Sequence, residues 1–470
     1  MSDLPNVVLI MADDMGYGDV GCINADSLIP TPNIDRVAEN GIVLTHAHAP
    51  AGICTPTRYA LLTGEFQFRL EPDRNCLAMP YWGPKIDKGV PTIASLMKKA
   101  GYATACVGKW HLGLDWQAKE GLGKQFTNVE SEVDFFKPFQ NGPTTKGFDY
   151  FFGSAGCSTS DSPYCYLEND HTVGIPDIQS TSDLNELPGF VQGLITDYWD
   201  IAKVDVDFTH KAVEYIDQQA TLTDDGPFFL YYGISAPHNP WVVPEFCQGK
   251  SNDGPRGDMN VLVDWCVGQV YDALERHNLL NDTLFVFTSD NGPQYQIGPN
   301  GHKATNGLRG QKNQPFEGGH REPFVASWPG HIAPGSKTNE EFSLIDIMAS
   351  LSELVGLSED EHPIGQDSLP ALSTILGTGH VENRPALVAH AKVSNISEYS
   401  ITKGGYNLVF QPDTEGGHDK GEYLLFDFAR DPYQENNLAE ELPDILIEMK
   451  RLLERVQKTG LRNLSECLDY

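Results

Sequence analysis

The sequence predicts an α/β protein: a large, mostly parallel sheet flanked by helices, then a smaller α+β unit of antiparallel strands with one helix. Three observations carry this. Four continuous apolar runs, at 6–12, 102–108, 227–235 and 283–289, have the length and composition of strands buried on both faces. Amphipathic helical stretches separate them, the alternation that builds a parallel sheet. Beyond about Asp346 the pattern changes to shorter runs ending in one long amphipathic helix. The 470 residues leave room for both units. The expected division is a main domain over 1–356, a linker over 357–385 and a C-terminal subdomain over 386–470.

The first run, Asn-Val-Val-Leu-Ile-Met-Ala, ends in Asp13-Asp14. Adjacent carboxylates at the end of a buried strand repel each other unless a cation lies between them, although an isolated pair is more often a solvated turn. A short helix is expected over 32–41. Next comes Gly52-Ile53-Cys54-Thr55-Pro56-Thr57-Arg58, running on to Leu61-Leu62-Thr63-Gly64. The fixed φ of Pro56 suits a first helical turn, and Gly64 supplies a stop. Cys54 then sits just ahead of a helix N-terminus, where free N–H groups favour an anion or an activated nucleophile. Arg58, one turn on, can aim a permanent charge at the same spot. Alone, such a cysteine is at least as often a packed or merely reactive thiol.

A helix over 90–100 turns Ile93, Leu96 and Met97 inward and precedes the strand 102–108, which delivers Lys109-Trp110-His111. Residues 115–200 are rich in Gly, Asp, Ser and aromatics, and are expected to be long irregular loops over one face, of the kind that shape a substrate site. A helix over 201–218 leads to the strand 227–235 and Ala236-Pro237-His238. A helix over 260–276 leads to 283–289 and Asp290-Asn291-Gly292. A closing helix is expected at 344–354, then strands at 386–389, 399–402, 406–410 and 423–427 and a last helix at 444–459.

Four strands thus end in chemically capable residues, at the carboxyl edge where open α/β sheets bind ligands. Asp13, Asp14, Asp290 and Asn291 offer only oxygen ligands, a set that suits a hard cation, Ca²⁺ or Mg²⁺, over zinc. Lys109, His111, His238 and Lys312, the last in the glycine-rich stretch 307–319, could surround the oxygens of a tetrahedral anion. Singly, each is more often a solvated or hydrogen-bonded residue.

Composition narrows the partners. With 33 Lys and Arg against 65 Asp and Glu, the net charge of −32 argues against nucleic acid. It would also repel an anionic substrate at long range, so binding one needs a local patch of cations or a metal. No apolar run reaches membrane-spanning length. No export signal is present as written, which predicts a cytoplasmic protein, or a periplasmic or secreted one if a leader has been removed. Nine cysteines form no CxxC pair and no zinc-ligand spacing; Cys157 and Cys165 could close a small loop or stay reduced.

In combination these motifs resemble the type I sulfatases. Cys54-x-Pro56-x-Arg58 with its Leu-Leu-Thr-Gly helix is similar to the family signature, with Thr57 where many members carry Ser. The opening strand with Asp13-Asp14, Gly108-Lys109-Trp110-His111-Leu112-Gly113, Ala236-Pro237-His238, Ser289-Asp290-Asn291-Gly292 and the loop from Lys312 to Gly319 match its other motifs. Leu425-Phe426-Asp427, Asp431-Pro432 and Asn436-Asn437-Leu438 resemble its C-terminal pattern.

The resemblance implies an alkaline phosphatase-like fold, with a large mixed sheet, and a calcium ion held by Asp13, Asp14, Asp290, Asn291 and the modified Cys54. It implies that a formylglycine-generating enzyme converts Cys54 to formylglycine, whose hydrate attacks sulfur and expels the alcohol. His238 would protonate the leaving oxygen, and His111 would strip the remaining hydroxyl. Lys109 and Lys312 would neutralise sulfate oxygens, and Arg58 would hold the formylglycine. The expected substrate is a sulfated carbohydrate, since long loops suit a saccharide. A broad arylsulfatase, a phosphonate or phosphate ester hydrolase and an anion-binding pseudoenzyme are the alternatives. His320 stands where an aliphatic residue is common in the family, as a packing variant or a substrate contact. His48, His302 and Arg321 are further candidate substrate contacts, with His46 and His171 weaker ones.

Overall fold

Along the first strand, β1 (Asn6–Ala12), side chains alternate between two separate cores. Val7, Leu9 and Met11 pack into one, and Val8, Ile10 and Ala12 into the other. That is the period-2 geometry of a strand covered on both faces, and it explains why the sequence shows an unbroken apolar run. The computed structural model describes residues 4–70, 77–222, 226–393, 396–413 and 421–465, so Cys76 and Cys467 lie outside the described residues.

The main sheet has ten strands. With β1 they are β2 (Ile42–Leu44), β3 (Ala103–Lys109), β4 (Tyr150–Ser154), β5 (Tyr166–Glu168), β6 (His171–Val173), β7 (Phe228–Gly233), β8 (Thr283–Ser289), β9 (Phe324–Ser327) and β10 (Ser336–Thr338). Their order is β10-β2-β9-β8-β1-β7-β3-β4-β5-β6. The central five, β8-β1-β7-β3-β4, run parallel, and antiparallel pairings at β8–β9, β9–β2, β4–β5 and β5–β6 make the sheet mixed. One core is covered by the helices Cys54–Thr63, Ile93–Lys99 and Ile347–Val355, the other by Pro32–Glu39, Val204–Gln219 and Pro255–Arg276.

The expectation of irregular loops over 115–200 is corrected by β4, an interior strand of this sheet, and by the short strands β5 and β6 beyond it. Only three aromatics, Tyr150-Phe151-Phe152, mark β4 in the sequence before Gly153, so no long apolar run announces it. Gly153 and Gly108 are needed because adjacent strands approach closely here. A Cβ on Gly108 would lie 2.0 Å from the Gly233 carbonyl oxygen, and one on Gly153 would lie 1.8 Å from that of Gly108.

The helix Pro32–Glu39 has no capping side chain at Thr31. Its first N–H groups are met from another helix: Asn33 and Ile34 both donate to Asp264 Oδ1 at 2.9 Å. Four antiparallel strands, Leu387–Val393, Ile396–Lys403, Tyr406–Pro412 and Gly421–Asp427, form the C-terminal sheet. The helix Pro443–Thr459 buries Met449, Leu453 and Val456 against it, in a core shared with Ala60, Phe66 and Ile345. Among the described residues no helix is long and apolar enough to cross a membrane.

Candidate active site

The parallel strands deliver the chemistry at their carboxyl ends. β1 runs into Asp13 and Asp14, β3 ends in Lys109, β7 leads through Ser235 to His238, and β8 leads into Asp290 and Asn291. Asp205 secures the β7 turn by accepting from the Ser235 and Ala236 N–H groups at 2.8 and 2.9 Å. Asp14 and His111 hold positive φ, 71° and 53°. Non-glycine residues in that region cost on the order of 1–3 kcal/mol each and persist where the surroundings impose them.

The Cys54 helix begins one step earlier than expected. Ile53 is extended at the N-cap and Cys54 is itself the first helical residue, while Gly64 ends the helix at φ 69° as predicted. The helix is buried along its whole length, which brings Arg58 under the site. Arg58 Nε and Nη2 both donate to Asp290 Oδ2, at 3.0 and 2.8 Å, and Nη1 donates to the Lys109 carbonyl and Tyr231 hydroxyl oxygens at 3.3 Å.

Two more ion pairs complete the cluster. Lys109 Nζ lies 2.5 Å from Asp13 Oδ2, with both side chains fully buried. Lys312 Nζ reaches Asp14 at 2.7 Å from its distant loop. That loop is tied to the Cys54 segment, since the Asn313 N–H donates to the Gly52 carbonyl at 2.7 Å. His238 Nδ1 lies 2.7 Å from the Asn239 carbonyl oxygen, a contact that orients Nε2 toward Asp14, 3.9 Å away. His238 and Lys312, each 12 % exposed, are the members that reach solvent.

Asp13, Cys54 and Asp290 each point a ligand atom to within 4.8 Å of the others. Asp13 Oδ1 and Asn291 Oδ1 are buried with no hydrogen-bond partner among the described residues. Asn291 turns its Nδ2 to Asp14 Oδ1 at 2.8 Å, leaving its oxygen free. Burial alone would raise the Asp13 carboxyl, but Lys109, His238, Arg58 and Lys312 hold it well below the usual range. Burial and the neighbouring Asp13 push Asp290 up. Orphaned oxygens of Asp13 and Asn291, amid carboxylates that disfavour one another's charge, fit a divalent cation.

The sequence reading missed Cys157, three residues beyond the end of β4. Its Sγ lies 3.7 Å from both His111 Nδ1 and His238 Nε2. With Cys54 and His111 it forms a cluster whose ligand atoms all fall within 4.8 Å. A hydrogen bond with Cys157 and burial raise the Cys54 thiol pKa. Once Tyr150-Phe151-Phe152 is recognised as a strand, Cys157 falls at the same sheet edge as the other site residues. Cys157 and Cys165 are both free thiols.

The residues expected to contact substrate are buried and already partnered. His302 is buried, with Nε2 2.8 Å from Asp19 Oδ1. Arg321 donates twice to Glu317 Oε2 and once to the Thr45 carbonyl. His48 and His320 face each other, Nδ1 to Nδ1 at 3.0 Å, and are 0 and 2 % exposed. His46 stacks on Phe428, and His171 is exposed beside Asp170.

Residues 5–357 match the family model described as Sulfatase. The chain is 32 % identical to an N-acetylgalactosamine-6-O-sulfatase of Bacteroides thetaiotaomicron over 97 % of its own length and 94 % of that protein. It is 30 % identical to human arylsulfatase A over 95 % of this chain and 87 % of that one. A solved structure from work on glycosaminoglycan metabolism by Bacteroides thetaiotaomicron superposes with a TM-score of 0.82 at 30 % identity, covering 97 % of this chain and all of that one. Carried by a mixed sheet whose strand ends converge on one cationic and carboxylate-rich centre, this chain is a sulfuric ester hydrolase and belongs to the sulfatase family of the alkaline phosphatase-like superfamily.

Proposed function

We propose that the protein hydrolyses sulfate esters of a carbohydrate, with the ester sulfur set over Cys54 after its conversion to formylglycine. The observation that carries the reading is the ring of Lys109, Lys312, His111, His238 and Arg58 around the first residue of the Cys54 helix. Lys109, Lys312 and Arg58 are paired with Asp13, Asp14 and Asp290, so in a protein of net charge −32 the excess positive charge that holds an anion there would come from the bound cation.

The substrate class rests on relatives named for N-acetylgalactosamine 6-sulfate, with which this chain aligns over nearly its full length. A 6-sulfated N-acetylgalactosamine residue is therefore the first substrate to test. The relation to arylsulfatase A supports a broader aryl sulfate activity as the second reading.

Asp13, Asp14, Asp290 and Asn291 would hold a calcium ion, which supplies positive charge against the sulfate and the nucleophilic oxygen. The remaining work falls to the chain. Lys109 and Lys312 lie against the aspartates and would face the sulfate oxygens as its charge shifts toward the leaving group. His238, its Nδ1 anchored on Asn239, is free to give the Nε2 proton to the leaving alcohol oxygen. His111 would take the proton of the other hydroxyl so that sulfate can depart, and Arg58 holds the helix that positions residue 54. The net reaction takes up one water and yields alcohol and hydrogen sulfate.

The test is sulfate release from N-acetylgalactosamine 6-sulfate, its 4-sulfate isomer, sulfated glycosaminoglycan oligosaccharides, an aryl sulfate and an aryl phosphonate. Release from a sulfated sugar above a Cys54→Ala blank supports the reading. Turnover of the aryl sulfate alone moves the protein to the second reading, and turnover of the phosphonate alone overturns both.

A further inference from the structure

A second cluster of metal-ligating side chains lies outside the catalytic centre, where the segment leading to Cys54 meets the end of the Lys312 loop. It contains His48, Glu317 and His320, all buried, whose ligand atoms lie within 4.8 Å of one another. We infer that His48, His320 and Glu317 form a structural site for a borderline transition-metal cation of the zinc type, one that fastens the Cys54 segment to the Lys312 loop.

Three features support it. The two Nδ1 atoms stand 3.0 Å apart, close to the roughly 3.3 Å between two nitrogens on one tetrahedral ion with bonds of about 2.0–2.1 Å. His320 Nε2 lies 3.1 Å from the Pro315 carbonyl oxygen. A metal-bound imidazole commonly donates its other N–H to such a carbonyl, which fixes the ligand tautomer. Glu317 gives Oε2 to Arg321 and keeps Oε1 buried with no partner among the described residues.

The frame is preorganised. The Ala49 N–H donates to the His320 carbonyl at 2.8 Å and the Glu322 N–H to the Ala47 carbonyl at 3.0 Å, so the two segments already run side by side. Two nitrogens and one carboxylate oxygen suit zinc or cobalt better than calcium. Arg321 offsets part of the Glu317 charge, and neutral imidazoles therefore carry most of the donation. The competing account is a plain imidazole–imidazole hydrogen bond, which would leave Glu317 Oε1 orphaned.

Co²⁺ titration of the full-length protein tests this by optical spectroscopy, with metal content measured after dialysis. With the aspartate site kept filled by excess Ca²⁺, the expected result is one equivalent of Co²⁺ with visible ligand-field bands and no thiolate charge-transfer band, since a thiolate band would report Cys54 and Cys157 instead. In His320→Leu the affinity should fall at least about tenfold while circular dichroism stays unchanged; His48→Gln serves as the second variant. A wild-type protein that takes up no Co²⁺, a thiolate band, or equal binding in both variants would overturn the site and leave the hydrogen bond alone.

Discussion

Arg58 and Asp290 form a fully buried, two-bond ion pair between the Cys54 helix and the end of the strand Thr283–Ser289, with both side chains at 0 % exposure. One guanidinium therefore orients the helix that carries the nucleophile position and anchors a carboxylate of the proposed calcium site. Lysine cannot reproduce that fork.

Removing one partner strands the other charge in the interior. Arg58→Ala should destabilise the fold by about 3–5 kcal/mol and abolish sulfate release, and Arg58→Lys should recover stability in part but little activity. Urea unfolding alongside a turnover assay checks both. An Arg58→Ala protein of wild-type stability would contradict the role given to the pair.

The proposed calcium site predicts that chelation stops turnover and that added Ca²⁺ restores it. Asp290→Ala should lose both the bound ion and activity, with metal content measured directly. Unchanged calcium in that variant would remove Asp290 from the ligand set.

The Asp205 turn makes a pH prediction. Burial pushes this carboxyl up to about 7, although the Ser235 and Ala236 N–H groups partly oppose the shift, as does Lys109, while Asp13 adds to it. A carboxyl raised on folding is protonated in the folded state over a range where the unfolded chain has released its proton. Its contribution therefore destabilises the fold as pH climbs from about 4 to about 7, then levels off. The stability gap between wild type and Asp205→Asn should shift in the variant's favour across that window. A gap that stays flat from pH 4 to 8 would contradict the shifted carboxyl.

The parts of this protein legible in its sequence share one physical cause. A strand covered on both faces must be apolar throughout, so the runs at 6–12 and 283–289 stood out, and the polar residues following them had to lie at one sheet edge. The strand Tyr150–Ser154 escaped notice because its role in a crowded sheet is met by three aromatics and a glycine. Cys157 was lost with it. The strands Ile42–Leu44 and Ser336–Thr338, three residues each, are too short to set up a period. Nothing in the spacing of His48 and His320 says that they face each other. That meeting depends on the pairing of segments 272 residues apart.

If sulfate ester hydrolysis proceeds as proposed, residue 54 provides the nucleophile. The most direct measurement is sulfate release from an N-acetylgalactosamine 6-sulfate oligosaccharide by wild type and Cys54→Ala, with the mass of the peptide carrying residue 54 read from the same wild-type sample. The account predicts release by a wild type whose peptide has the formylglycine mass, and release at the level of the buffer blank from a folded Cys54→Ala. Comparable release from both proteins would contradict it.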